Sequence, residues 1–459
     1  MTEFNPTQLN TLDIQRLMSY RSNLDFYNGL HWQTTSRNRQ LVFNYAKVSI
    51  DKMTSFLIQG LAIACYPAQE TEELRAKAQH TERLLHQIHH DNNLDQLDYE
   101  TEVDAAILGD GCYKVIWDTT LKRIRITAPD VSGIFAWWLG DDTSRVWRVA
   151  SRYTLTQDEI GILYPEARSQ KPEATITELW TTDTFDLYLD NNLIESKPNP
   201  YGFIPFVIFP NLKKPKQFWG ESDIPVVTQP QRELNRALSQ LSRILELSGN
   251  PIAVLENVSS AEDIKVQPGA LWAIPEDAKA YLLDLLQGGG VRLHIDYIDL
   301  LYRTLQDISE MPRAAWGGVE RDISGAALRL ELTSLLQKVL RKRTIRTQAY
   351  YQRTAMIMKL AQKFMDQNFD GVHHRVLWGT ILPQDIDRQA QTEQLLVQAG
   401  VHSRRTAMDE LGIINPDDEF QRWLDERRKI LEMNKEFRAA STRGGARERA
   451  LASEMEVPE

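Results

Sequence analysis

His86 and His90 stand four residues apart in RLLHQIHHD, with His89 and Asp91 beside them. On a helix, positions i and i+4 share a face, so the pair has the spacing of two imidazole ligands to one metal ion. The same spacing also describes a solvated helix side, and that reading is adopted. His373 and His374 are adjacent in a strand-like run, where neighbours point to opposite faces, which disfavours a metal there.

Other chemistry is missing its parts. No GxxxxGK[ST] loop is present to cradle a triphosphate, GDGCYK at Gly109 fails the dinucleotide fingerprint, and GGGVRL at Gly288 follows no βαβ strand. There is no GxSxG elbow and no HExxH. Carboxylates are plentiful, but none of them forms a pair in an apolar stretch that would push two pKa values apart. The sequence therefore predicts no catalytic residue, no cofactor and no metal, and hence no enzyme. The basic run RKRTIR, with Arg341, Lys342, Arg343 and Arg346, suits either DNA phosphate or the acidic residues of a neighbouring subunit; the second reading is preferred.

Composition narrows the class. The chain has 459 residues, 42% hydrophobic and 25% charged, as in ordinary globular proteins of two or more domains. No membrane-length apolar run is present, and MTEFNPTQLN lacks the build of a signal peptide, so a cytoplasmic protein is expected. Two cysteines, Cys65 and Cys112, make no disulfide framework and read as small packed residues. A net charge of −10 argues against gripping nucleic acid over the whole surface. A surface over which DNA slides has no need to hold it.

The elements that would position these residues change texture along the chain. The first hundred residues read as mainly helical, with helices expected over 13–24 and 72–90. Seven short alternating runs from Cys112 to Pro210 predict one antiparallel meander. From Asp223 the pattern is helical again. Leu234, Leu238, Leu241 and Leu245 lie on one stripe, with Arg232, Arg236 and Arg243 nearly opposite. A small insert, 251–290, carries the strand candidates IAVLE and ALWAI. A second helix, 291–311, places Asp296, Asp299, Asp307 and Glu310 on one face, so arginine and acid stripes are expected to pair between the two helices or between subunits. The loop 312–323 leads to a helix expected over 324–369 with Ser324 as its N-cap; at 1.5 Å per residue it would run about 70 Å, so it must bend or cross an assembly. HHRVLWG is a further strand candidate. Helices capped at Asp385, Ser403 and Asp417 fill 383–436, and 437–459 reads as a disordered tail.

The order FYNGLHW, NYAKVSIDKMTSFLIQG, GDGCYKVIWD, WGESDIPVVTQPQRELNRALSQ, ISGAALRLEL and VLWGTILPQDIDRQAQTEQLLVQAGVHSRRTAMDELGI resembles the portal proteins of tailed double-stranded DNA bacteriophages. The resemblance implies an α+β, predominantly helical, multi-part portal fold. Its parts would be an α+β wing (1–222, with the long helix and returning strand of 324–382), two stem helices (223–250 and 291–311) and a small α/β clip (251–290). A tunnel loop (312–323) and a helical crown (383–436) complete it.

It also implies a ring of about twelve subunits at one capsid vertex, a conduit for DNA in packaging and ejection. The partners implied are further copies of the chain, double-stranded DNA without sequence specificity, the terminase motor, major capsid and scaffolding proteins, and a head–tail adaptor, with no membrane. The site would be the virion's portal vertex, and the host cytoplasm during assembly. In this reading Arg313, Trp316, Gly317, Gly318, Glu320 and Arg321 are the tunnel-loop candidates facing DNA, although Trp316 is expected to pack against a neighbour's loop. Glu262, Asp263, Leu271, Trp272, Glu276 and Asp277 are candidates for docking at the clip, where Leu271 and Trp272 serve equally well as the clip's own core. Two other classes compete. A nucleic-acid-processing enzyme needs an acidic metal cluster that the pattern lacks, and a helical-repeat adaptor needs a repeat period that is absent.

Overall fold

The computed structural model describes residues 4–32, 40–164, 172–249, 252–257, 277–283, 290–316, 325–381, 386–413, 416–417 and 419–433. The chain divides into two units, Met1–Trp378 and Gly379–Glu459.

The first unit opens with α1 (Ile14–Tyr27), α2 (Tyr45–Ile58), β1 (Ala62–Pro67), α3 (Glu72–Asp91) and α4 (Leu94–Leu108). Thr71 caps α3 through Leu74 N–H (3.3 Å), and Glu72 and Glu73 in its first turn complement the helix dipole. Gly109, at φ +116, ends α4 in the left-handed region. Strands follow: β2 (Asp110–Asp118), β3 (Arg123–Thr127), β4 (Ile134–Leu139), β5 (Asp142–Thr156), then the short α5 (Gln157–Leu163), β6 (Glu173–Thr181), β7 (Thr184–Leu189), β8 (Asn192–Pro198) and β9 (Phe206–Pro210).

These strands do not make the single meander expected. Strands β4 to β8 form one antiparallel sheet in sequence order, whereas β9 returns to pair with β2, giving a second sheet ordered β3-β2-β9. Burial explains the split. Tyr113, Val115, Ile124, Ile126, Val207 and Phe209 of the smaller sheet pack with Ala349, Tyr350, Ile357 and Leu360 of a later helix. In the larger sheet, Ile134, Val149, Ile176 and Leu187 face one cluster, while their neighbours Phe135, Ala150, Leu179 and Tyr188 face another that includes Leu9. Alternation thus shows where strands lie, but not which edge each one joins.

Next come α6 (Ile224–Gly249), β10 (Ile252–Glu256), β11 (Lys279–Leu283), α7 (Gly290–Ser309), a 3-10 turn (Arg313–Trp316), α8 (Gly325–Glu331), α9 (Thr333–Phe364) and β12 (Val372–Leu377). The helix expected over 324–369 is two helices, divided by a turn at Leu332, whose side chain joins the core. Ser324 lies outside the described residues. IAVLE pairs with KAYLL (β10 with β11), and ALWAI is also outside them. HHRVLWG supplies β12, which pairs with β1. The second unit holds α10 (Ile386–Gln398), α11 (Arg404–Glu410) and a helical run over 419–433. Ser403 caps α11 through Thr406 N–H (3.1 Å), whereas Asp417 pairs with Arg405 (2.5 Å). Asp385 and the tail 437–459 lie outside the described residues.

At Gly220 a Cβ would meet Gly109 O at 2.4 Å and Pro210 Cβ at 2.6 Å. Gly220→Ala is expected to destabilise the protein by about 1–3 kcal/mol through overpacking, read from chemical unfolding midpoints.

Candidate assembly and conduit site

The basic residues of α9 build the site's foundation. Lys338, Lys342, Arg346 and Arg353 recur at four, four and seven, one stripe on a helix, and all four are buried. Asp223, the residue before α6, lies between Lys338 (2.9 Å) and Lys342 and accepts from Asn211 Nδ2 (3.2 Å). Arg346 donates through Nε to both oxygens of Glu102 (3.0 and 2.8 Å) and through Nη1 to the carbonyls of Pro210 (2.8 Å) and Asn211 (2.6 Å). Arg353 forks onto Asp98 and lies over the rings of Tyr113 (4.6 Å) and Tyr350 (4.8 Å). Asp98 and Glu102 are one turn apart on α4, so the two helices meet through matched rows.

Burial works against every charge here, and the partners decide each outcome. Burial alone would raise the Asp223 pKa, but Lys342 and Lys338 hold it well below the usual range. Burial alone would lower that of Arg353, yet Asp98 keeps it above its ordinary value. Lys342 is pushed down to about 8 by burial, aided by Lys338 and Arg346 and opposed by Asp223. Arg343, pushed down to about 10 by burial, donates to the carbonyls of Phe56 (3.2 Å), Leu57 (3.0 Å) and Gln59 (3.0 Å) at the C-terminal end of α2.

This corrects the reading of the basic run. Lys342, Arg343 and Arg346 are buried against partners in their own chain and are closed to both DNA phosphate and a neighbouring subunit. Arg341 is exposed and is held by Glu310 (2.7 and 2.6 Å). Carboxylates in an apolar setting do exist, on α4, where a polar-looking sequence hides them; each is matched by an arginine.

Two sequence motifs converge on the same place. Asp110 of GDG accepts from Gly220 N–H of WGESD (2.8 Å), and Asn211 N–H donates to Gly109 O (2.7 Å). Ser222 Oγ donates to Ile107 O (2.6 Å), and Asp223 N–H to Ala106 O (2.9 Å). The start of α6 is thereby tied to the end of α4.

Helices α6 and α7 pack through Leu234, Leu238, Ile298, Leu301 and Leu305. The expected arginine–acid pairing between them is absent among the described residues. Arg236 pairs with Glu233 on its own helix (2.7 Å), Asp299 pairs with Arg303 (2.5 Å), and Arg232 lies over the Phe26 ring (5.5 Å). Arg243, Asp296 and Asp307 are exposed. The reason is geometric, since the arginines lie on the side of α6 opposite the leucines. The polar tie that does form runs from Tyr297 OH to Glu233 (3.0 Å).

A contact with no forecast lies alongside. Residues 41–45 run as a strap on α6, and the N–H groups of Leu41, Phe43 and Tyr45 donate to Ser239 (2.9 Å), Asn235 (3.0 Å) and Gln231 (3.1 Å). Its one sequence signal is three polar side chains at a spacing of four. Asn235 also meets His31 Nδ1 (2.8 Å).

Trp316 is anchored within its own chain. Its Nε1 donates to Met311 O (2.9 Å), and its ring meets Tyr45 and Tyr302 at 5.7 and 6.5 Å. Arg313 is exposed. Gly317, Gly318, Glu320 and Arg321 lie outside the described residues, as do Glu262, Asp263, Leu271, Trp272 and Glu276. Asp277 is exposed, and its carbonyl accepts from Asn257 (3.4 Å). His86 and His90 are exposed, while His89 turns inward, where burial lowers its pKa to about 3; no metal-holding group of three or more His, Cys, Asp or Glu occurs among the described residues.

An α+β body that roots two antiparallel helices in an ion cluster and closes their insert with a strand pair has the build of a structural assembly subunit. The class is that of the phage portal proteins. A family model described as phage portal protein, SPP1 Gp6-like, matches residues 9–433, and the chain belongs to that family. No curated protein matches the chain significantly. The family is structural rather than enzymatic, forms oligomeric rings with capsid and packaging partners, and resides in the virion at the capsid vertex. No helix among the described residues is long and apolar enough to cross a membrane.

Two outcomes test the ion cluster. Asp223→Asn leaves two buried lysines without a counter-charge and is expected to cost about 3–5 kcal/mol in urea unfolding. Lys342 binds its proton less tightly folded (about 8) than unfolded (near 10.5), so between those values the unfolded chain holds more protons and this group adds stability as pH rises. In Lys342→Met, the gain in unfolding midpoint from pH 7.5 to 9.5 is expected to be smaller than in the wild type.

Proposed function

We propose that the chain forms a ring of about twelve copies at one capsid vertex, through whose bore double-stranded DNA enters during packaging and leaves at ejection. The observation that carries this reading is the root of α6 and α7: two packed helices fixed at one end to a buried ion cluster, with an insert between their far ends. In the portal reading α6 and α7 are the stem and 251–290 the clip, which docks the terminase motor and later a head–tail adaptor. Residues 312–323 are the tunnel loop, joined through α8 and α9 to an α+β wing, and 383–436 are the crown. Capsid and scaffolding proteins are the remaining partners.

Charge supports the conduit. Segment 251–290 has six acids against Lys265 and Lys279, a net charge of −4 per copy. Nonspecific DNA binding with Kd of about 10⁻⁴ to 10⁻⁶ M corresponds to roughly 5.5–8 kcal/mol, enough to stall translocation. An acidic collar repels phosphate and leaves the duplex mobile. In the loop, Arg313, Glu320 and Arg321 are the candidates for the bore, Gly317 and Gly318 supply backbone freedom, and Trp316 holds the base.

Mass measurement of the purified chain is expected to give a ring, and images down its axis a central channel; a monomer at all concentrations would sink the proposal. Replacing 317–321 by Gly-Ser is expected to leave ring mass unchanged and lower the yield of packaged DNA. Trp316→Ala is instead expected to lower thermal stability, because it removes a packed anchor.

A further inference from the structure

The two helices carry apolar surface that their own chain leaves uncovered, on opposite flanks. On one flank the strap exposes Val42 and Phe43, each 42% exposed. It is held by Gln231, Asn235 and Ser239, and Arg243 is the next position in that i+4 row of α6. On the other flank, α7 exposes Leu293 (72%), Tyr297 (40%) and Leu300 (59%) on one helical stripe, bordered by Asp296 and Asp307.

That these are opposite flanks follows from contacts. Glu233, which receives Tyr297, lies about 160° round α6 from the strap-binding row, and Tyr302, which meets strap residue Tyr45 (5.1 Å), lies about 140° round α7 from Tyr297. One flank ends in an arginine and the other is edged by two aspartates; none of the three has an ion-pair partner among the described residues. Apolar patches framed by charge mark interaction sites.

We propose that the occupant of each flank is a second copy of this chain: Val42 and Phe43 of one copy seat on Leu293, Tyr297 and Leu300 of the next, and Arg243 faces Asp296. Two different patches on opposite sides make a head-to-tail contact, which closes into a ring when the rotation per copy divides the circle; one self-complementary patch would stop at a dimer. The assignment rests on the ring reading above and names the surfaces that such a ring uses. It also gives the acid and arginine stripes a separate outcome for each residue. Arg232, Arg236, Asp299 and Glu310 are engaged within the chain, Arg243 and Asp296 are left for the neighbour, and Asp307 is exposed.

The test is an oxidative cross-link on the full chain. Phe43→Cys combined with Leu300→Cys is expected to give a ladder of covalent multimers, while either single variant stays monomeric on a denaturing gel. Leu300→Glu is expected to shift the native mass from ring to monomer with an unchanged circular dichroism spectrum, since that side chain is solvent-facing. A wild-type ring with no ladder and a Leu300→Glu ring of full mass overturn the flank assignment and leave the ring intact. A monomeric wild type overturns the ring reading itself.

Discussion

The row of buried cations along α9 is the constraint on which the rest of the structure depends. Removing charge from water costs several kcal/mol per ion, and an apolar row of similar volume would cost the fold less. What the ionic row adds is register. Arg346 finds both oxygens of Glu102 and Arg353 forks onto Asp98 at one alignment of α9 against α4, and a slip of one residue would leave unpaired charges in the core. Lys338 and Lys342 extend the same row to Asp223, just before α6. One helix thereby sets the position of the body and of the helix pair together.

That coupling has mechanical consequences. Asn211 serves both Lys342 and Arg346, and Lys338 also donates to Ser309 O at the end of α7 (3.0 Å), so both paired helices are tied to α9 at their base. Trp316 then closes the turn after α7 onto Tyr45 and Tyr302. A hinge at this root would let the helix pair rotate against the body. Directional, multiply bonded contacts resist such rotation better than apolar packing, which slides at little cost.

The fold's resemblance-bearing motifs are now explicable as physics. GDG and WGESD are close-approach glycines with an aspartate between them. Gly220 leaves no room for a Cβ beside Gly109 O, and Asp110 bonds the Gly220 amide across the gap. They mark the joint where α4, β2, β9 and α6 meet.

Much of the architecture was legible in the residues alone. Period and punctuation placed α6, α7 and most strands, because helices and strands impose their repeat on any half-buried segment. Family membership followed from motif order. Other features depended on contacts between distant residues. Nothing in LDQLDYETEVDAAIL says that Asp98 and Glu102 are buried, because a carboxylate looks solvated until its arginine, some 250 positions away, is placed against it. The basic run of α9 reads as a surface for the same reason, and β9 reads as one more strand of a single meander because alternation is blind to pairing partners. Local sequence determined which segments would be helix or strand and which faces would be apolar. The tertiary structure decided where each charge ends up, because the free energy of a buried ion depends on its counter-ion, and the counter-ion is chosen by the fold.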